Sequence, residues 1–413
     1  MGKTLTWLHL SDIHFHPKTE WRDSDSRTAL LDYLANIFAG DSSLRPDLVF
    51  CTGDIAFGET KSAPLSDQYV QAKTFFESLL VVCGQIGEPL PKERLFVVPG
   101  NHDVNRSAIN TDAQSTLTNW AKTPSDHIGA INQRFNDRTI EFKDTIKRLD
   151  EYALFVKDFL PHQYDVDSRQ RYAKTCNING IKVGIAGFNS AWTCAGPEDD
   201  RNIWLAANWQ FNKAHEALKD TDLRIGLMHH PIESLNSSDR DIATRRLASD
   251  YHFLLHGHSH NAWITPIQSH IVIAAGAIGT PNSDEFGINL TSVDLKELRG
   301  ISHLHNKRAG SNGWSIAPVE GQAPHGQWAF ELPNSLRKIF AESVSATKAE
   351  EAAKPVIAKN EQTINSDFID RHLTQKLDAA LRAFSKQPKV WITPILSRKS
   401  ELSPDAKSEP GVD

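Results

Sequence analysis

The chain has 413 residues, 39% hydrophobic and 23% charged, with a formal net charge of −6 and a sequence pI near 6.3. This is a globular profile, long enough for one large core plus an appendage, and no run approaches the roughly 20 apolar residues of a membrane-spanning helix. The acidic balance excludes a global basic field for nucleic acid, and the spacing of Cys51, Cys83, Cys176 and Cys194 excludes a secreted disulfide scaffold and fits a reducing cytoplasm.

Thr4–Leu10 reads as a buried strand running into Ser11-Asp12-Ile13-His14, and Asp47–Cys51 as a second running into Thr52-Gly53-Asp54. Between them, Leu30, Leu31, Leu34 and Phe38 give Arg27–Phe38 helical spacing, and a second helix is predicted over Asp67–Cys83. Leu95–Val98 is the next strand, closed by Pro99-Gly100. Strand, helix, strand, helix, strand predicts a right-handed parallel α/β core with its functional loops at the carboxyl ends of the strands.

Residues 109–164 are mostly polar with helical stretches such as Ile140–Phe159, and read as an inserted helical cap whose Trp120 and Phe135 would dock over the site. Ile181–Phe188, Leu223–Met228, Tyr251–Leu255, Trp263–Ile267, Ile271–Ala275 and Asn289–Leu295 are short β-rich runs that would make a second sheet packed on the first, with last strands from Trp314–Trp328. The expected fold class is α/β, a four-layer α/β/β/α sandwich of two mixed sheets occupying residues 1–331. Residues 332–413 are expected to form a helical extension, over Glu342–Lys354 and Phe368–Phe384, and a polar, disordered tail.

Five blocks fall at or just beyond the ends of apolar runs: Asp12-Ile13-His14, Gly53-Asp54, Gly100-Asn101-His102-Asp103, His229-His230-Pro231 and His256-Gly257-His258-Ser259-His260. Singly each is weak; together and in this order they spell a ligand set for two adjacent metal ions. Phosphoester hydrolysis needs charge neutralisation, a deprotonated water and help for the leaving oxygen, and two divalent ions about 3.5–4 Å apart supply the first two. Asp54 is the natural bridge, because a carboxylate has two oxygens to offer where an imidazole has one free nitrogen.

In identity, order and spacing, from Thr4 to Asn261, the blocks resemble the calcineurin-like metallophosphoesterase family, and Leu10-Ser-Asp-Ile-His-Phe and Met228-His-His-Pro most resemble its bacterial phosphodiesterase branch. The resemblance implies that Asp12, His14 and His260 hold one metal, Asn101, His229 and His258 the other, and Asp54 both. It implies His102 as the general acid, with Asp103 orienting and charge-supporting it, and His230 supporting the ligands from behind. Arg106 would touch a phosphate or pair with a nearby carboxylate. The mixed nitrogen and oxygen set suits two divalent ions, Mn²⁺ first, with Fe or Zn²⁺ as alternatives.

Protein phosphatases of the family carry Asp-Arg-Gly after their Gly-Asp, whereas Gly53-Asp54 here runs into Ile-Ala-Phe-Gly-Glu. The implied activity is therefore a nucleotide phosphodiesterase of the cyclic-nucleotide type. The alternatives are a DNA or RNA nuclease serving as effector of a larger defence or signalling assembly, and a phosphomonoesterase. Ile369 to Leu396 is similar to the joint that connects effector domains to a P-loop NTPase, which makes a protein partner or NTPase domain an expectation for the extension. His303, His305 and His325 invite a further metal site, against which a solvated strand face is the preferred reading; Trp192, Trp204 and Trp209 are expected in core or rim packing.

Overall fold

The computed structural model describes residues 4–16, 20–85, 87–165, 169–196, 199, 201–267, 269–279, 285–308, 313–333 and 335–336. All belong to the first of the two compact units into which the chain divides, Met1–Glu351. The helices expected over Glu342–Lys354 and Phe368–Phe384 and the tail lie outside the described residues.

In chain order, β1 (Thr4–Leu10), α1 (Glu20–Gly40), β2 (Leu48–Cys51), α2 (Leu65–Cys83) and β3 (Leu95–Val97) alternate as the sequence predicts. Then follow α3 (Thr111–Trp120), α4 (Pro124–Asp137), α5 (Ile140–Ile146) and α6 (Asp150–Phe159). The remainder is β4 (Tyr172–Ile178), β5 (Ile181–Gly187), α7 (Ala207–Leu218), β6 (Leu223–Leu227), α8 (Ser237–Asp250), β7 (Phe253–His256), β8 (Trp263–Pro266), β9 (Ile271–Ala274), β10 (Glu285–Asp294), β11 (Arg299–Arg308), β12 (Ser315–Ile316) and β13 (Gln327–Glu331).

One sheet runs β12-β11-β10-β1-β2-β3 with β13 also on β11; the other runs β4-β5-β6-β7-β9-β8. Both are mixed. β1, β2 and β3 are parallel and β10 is antiparallel to β1, while β5, β6, β7 and β9 are parallel between antiparallel β4 and β8. Period-two alternation sorts the side chains into two cores. Leu5 and Trp7 of β1 join Val183, Ile225, Phe253 and Ile273 between the sheets, where Trp7 meets Phe253 edge-on at 5.1 Å. Leu8 and Leu10 instead meet Leu30, Leu34 and Phe76 of α1 and α2, as Phe188 and Leu254 meet Phe211 and Leu247 of α7 and α8. The result is the four-layer α/β/β/α sandwich, with each buried Leu, Ile or Phe contributing about 1.5–3 kcal/mol.

Two expectations change. The runs after the insertion do not all enter the second sheet: β10 to β13 complete the first. The parallel connections extend that sheet from β1 toward β3, and β10 covers the edge of β1 left open. The helix expected over Ile140–Phe159 is broken by a 3-10 turn at Lys147–Leu149. There Arg148 turns fully inward, its guanidinium donating to the carbonyls of Thr145 (2.9 Å) and Cys194 (2.7 Å) and to Gln114 Oε1 (2.9 Å).

Candidate metal centre

Parallel register brings the five blocks together. Leu10 is level with Cys51 and Cys51 with Val97, so Asp12, Asp54 and Asn101 leave neighbouring strand ends; Leu227 is level with Leu255, which does the same for His229 and His258. A bridge from Ser11 to Ala277 and the Gly279 N–H donating to the Asp12 carbonyl (3.0 Å) join the two sets of ends.

The turns are tight. Asp12, His14, Asp54, His258 and His260 have φ of 53°, 53°, 49°, 65° and 58°, a left-handed conformation that costs a non-glycine residue about 1–2 kcal/mol. Backbone bonds hold it: Asp12 N–H to the Gly53 carbonyl and His14 N–H to the Asp54 carbonyl, both 3.0 Å, and His258 N–H to Asp12 Oδ2, also 3.0 Å. Gly53 has φ +98°, and a Cβ there would lie 2.7 Å from His229 Nδ1, so the second block needs its glycine.

The polar atoms converge. His229 Nε2 stands 3.3 Å from Asp54 Oδ2 and 3.0 Å from Asn101 Oδ1, and His258 Nδ1 stands 3.1 Å from the same amide oxygen. His260 Nε2 lies 3.2 Å from Asp12 Oδ1; His14 Nε2 lies 3.8 Å from that oxygen and 3.9 Å from Asp54 Oδ2. Ligand atoms of Asp12, His14 and His260, and separately of Asp12, Asp54 and His229, fall within 4.8 Å of one another.

This arrangement fits metal ions on its own chemistry. His229 Nδ1 donates to the Thr52 carbonyl at 2.7 Å, which aims Nε2 at the Asn101 and Asp54 oxygens, so a proton or a cation must sit among these three atoms. Among the described residues, neither ring nitrogen of buried His14 has a hydrogen-bond partner. Buried lone pairs that face each other repel unless protons or a cation sit among them. Imidazole nitrogens with carboxylate and amide oxygens, without thiolate, suit divalent first-row ions.

The electrostatics agree. Burial pushes His14 and His258 down to about 4, against the pull of Asp54, so both rings are neutral, the form that ligates a metal. Burial also acts to lower His229, but the Asp54 and Asp12 carboxylates and the Thr52 carbonyl overcome it and raise the ring to about 9. Asp54 lies well below the usual carboxylate range because His229, His102 and His14 outweigh its burial.

His102 lies beside this cluster, with its N–H donating to Asp54 Oδ1 (2.7 Å) and its Nδ1 at 2.5 Å from the Phe57 carbonyl. Asp103, expected to orient this ring, bonds to other groups. Both Asp103 oxygens accept elsewhere, Oδ1 from Ala56 N–H (3.0 Å) and the Tyr69 hydroxyl (3.0 Å), Oδ2 from Gly100 N–H (2.8 Å) and Ile55 N–H (3.3 Å). It is a buried clasp between the second and third blocks, its pKa raised to about 6 by burial and by Asp54. His230 is buried behind His229, with Nδ1 at 2.8 Å from Ser190 Oγ. Arg106 is exposed and, with Asn101, His102, His230, His258 and Asp199, lines a cavity of about 220 Å³. The carbonyls of Thr52 and Phe57, which aim two of the rings, were invisible to residue-type reasoning because any side chain supplies a carbonyl.

Other expectations resolve away from the cluster. Phe135 packs on Trp192 (4.7 Å) and Trp209 (5.3 Å), and Trp120 stacks on His127 (4.6 Å), so neither lines the cavity beside His102. Trp192 and Trp204 are core residues. His305 is not on a solvated face: it is buried against α1, its Nδ1 at 2.9 Å from the Tyr33 hydroxyl, with His303 stacked at 6.5 Å and His325 exposed.

Fold and site together define a class: a two-sheet α/β sandwich that gathers imidazoles, carboxylates and an amide at facing strand ends. The model of the calcineurin-like phosphoesterases matches residues 5–262, and the chain belongs to that family. It is 23% identical over 271 residues to an uncharacterized metallophosphoesterase-like protein, YydB, of Bacillus subtilis, a match that covers 62% of this chain and 49% of that protein. The chain thus spans about half the length of this curated relative. Among solved structures, the GAP50 anchor of the Plasmodium inner membrane complex aligns over 82% of this chain and 94% of its own, with 12% identity and a TM-score of 0.40. A 5'-nucleotidase of Candida albicans aligns over 83% and 58%, with 16% identity and a TM-score of 0.35. Among the described residues no helix is long and apolar enough to cross a membrane.

Proposed function

We propose that the chain is a dinuclear-metal-dependent phosphoesterase acting on phosphodiester bonds of nucleotides. Asp12, His14 and His260 would hold one ion, Asn101, His229 and His258 the other, and Asp54 both. The observation that carries this reading is the buried convergence of unpartnered lone pairs, above all those of His14, on side chains held in strained backbone. Bound there, two divalent ions would supply positive charge against the phosphate and acidify a water.

The remaining work falls to the chain's own groups. His102 donates to the Phe57 carbonyl through Nδ1, so Nε2 is the nitrogen from which the imidazolium form would deliver a proton to the leaving oxygen. The Asp54 carboxylate, accepting from His102 N–H, ties this residue to the ligand cluster. Arg106 brings a guanidinium to the cavity rim, where a phosphate oxygen would meet it.

The test is a substrate panel: Mn²⁺-loaded protein with bis-p-nitrophenyl phosphate, p-nitrophenyl phosphate, cyclic nucleotides, and single- and double-stranded DNA and RNA. Hydrolysis of the diesters and cyclic nucleotides is expected. Preference for p-nitrophenyl phosphate would make it a monoesterase, preference for polymers a nuclease, and no turnover with Mn²⁺, Fe²⁺ or Zn²⁺ would sink the proposal.

A further inference from the structure

We infer that Gln68 is a positioning residue for the proposed proton donor, aiming His102 through the Phe57 carbonyl. The inference rests on the role given to His102 above. The ring's Nδ1 meets that carbonyl at 2.5 Å, and Asp103, the neighbouring carboxylate, is occupied elsewhere. The aim of the ring therefore depends on how the Phe57–Gly58 peptide is held.

That peptide follows a bridge from Ala56 to Phe15 in the connection between β2 and α2, where the Phe57 N–H also reaches the Phe15 carbonyl at 3.2 Å, and Gly58 has φ +120°. Gln68, in the first turn of α2 and fully buried, brackets it from both sides. Its Oε1 accepts from Phe57 N–H at 2.8 Å, while its Nε2 donates to the carbonyls of Gly58 and Ala63, both at 2.8 Å. One amide orientation satisfies all three contacts, because one partner is a donor and two are acceptors. Fixing the N–H before the Phe57 carbonyl and the carbonyl after it leaves the intervening peptide plane little freedom. Glu59 steadies the same loop by accepting from Leu65 N–H (2.8 Å).

A carboxylate of the same size cannot donate to two carbonyls, and a methionine can do neither task, so Gln68→Glu and Gln68→Met remove the bracket at nearly constant volume. The full chain, loaded with Mn²⁺, would be assayed on methyl p-nitrophenyl phosphate and methyl phenyl phosphate, two diesters that differ in how much help the leaving oxygen needs. Both variants should lower kcat on the phenyl ester on the order of 10- to 100-fold, far less on the nitrophenyl ester, with KM and bound metal unchanged. The double variant Gln68→Met/His102→Ala should fall no further than His102→Ala alone.

An equal loss on both esters, or a loss that persists in the His102→Ala background, overturns the inference. So does loss of metal or of cooperative unfolding in both variants, since Gln68 would then serve the loop and not the ring. If His102→Ala itself shows no dependence on the leaving group, the reading of His102 fails first, and the two failures are thereby told apart.

Discussion

Asp12, His14, Asp54, His258 and His260 occupy left-handed backbone, where the chain accepts strain to point short side chains inward from strand ends. The residue types and their order are legible in the sequence; this conformation is not, because it is held by bonds to the Gly53 and Asp54 carbonyls and the Asp12 carboxylate in other loops. Asp103 illustrates the same blindness. Placed after His102, it reads as the ring's support, yet its partners are the amides of Ile55, Ala56 and Gly100 and a tyrosine on α2. Two outcomes follow from that difference. His102→Ala should cut turnover by about 10²–10⁴-fold while bound metal and the thermal midpoint stay as in the wild type. Asp103→Ala leaves buried donors unpaired and should cost about 3 kcal/mol or more, lowering the thermal midpoint and metal content together. Metal analysis beside a thermal scan distinguishes them, and a stable, metal-replete Asp103→Ala protein with low turnover would return Asp103 to the role first expected of it.

Helices and strands differ in how much of themselves the sequence reveals. β1, β2, β3, α1 and α2 carry continuous apolar faces that the sequence shows, whereas β4, with polar Lys174 and Asn177, gives no such signal and β11 shows only as a strand face at His303 and His305. Alternation identifies a strand but not its neighbour, which is why β10 was placed in the wrong sheet. α7 is a further case. Its N-cap is Ala206, at φ 56° and with no capping side chain of its own. The cap comes from α8: Asp239, fully buried, accepts from Leu205 and Ala207 N–H at 2.7 Å and from Ala206 N–H at 3.2 Å. A carboxylate at a helix N-terminus meets both the free amides and the positive end of the dipole. Asp239→Ala should therefore lower the unfolding free energy by about 3 kcal/mol and Asp239→Asn by less, since one oxygen remains to accept. Urea unfolding measures both, and a loss below 1 kcal/mol for the alanine variant, roughly the value of one neutral bond, would show that α7 is held by packing alone.

Across the whole molecule, the candidate ligands are divided between the sheets: Asp12, His14, Asp54 and Asn101 follow strands of the first, His229, His258 and His260 strands of the second. Ions bound among them would tie the two sheets together, so chelation should lower the thermal midpoint and Mn²⁺ restore it; at a hundredfold excess over Kd the linkage is about 2.7 kcal/mol per site. Acid attacks the fold by a separate route. His252 is buried where β7 begins, its Nδ1 accepting from Arg224 N–H at 2.9 Å, and burial, then Arg224, hold its pKa down to about 3; burial holds His305 down to about 4. Both rings are neutral when folded and take up a proton near 6.5 when unfolded. A folded pKa below the unfolded one means that unfolding binds protons in acid. The stability is thus full above pH 6.5 and is lost as pH falls from there toward 3 or 4, at about 1.36 kcal/mol per pH unit for each ring. An asparagine at 252 can still accept from Arg224 N–H but does not titrate. In chelated protein, His252→Asn should therefore flatten the fall of unfolding free energy between pH 6.5 and 4.5 by about one proton's slope, leaving the region above pH 7 parallel to wild type. An unchanged acid limb would mean that His252 is already protonated in the folded chain.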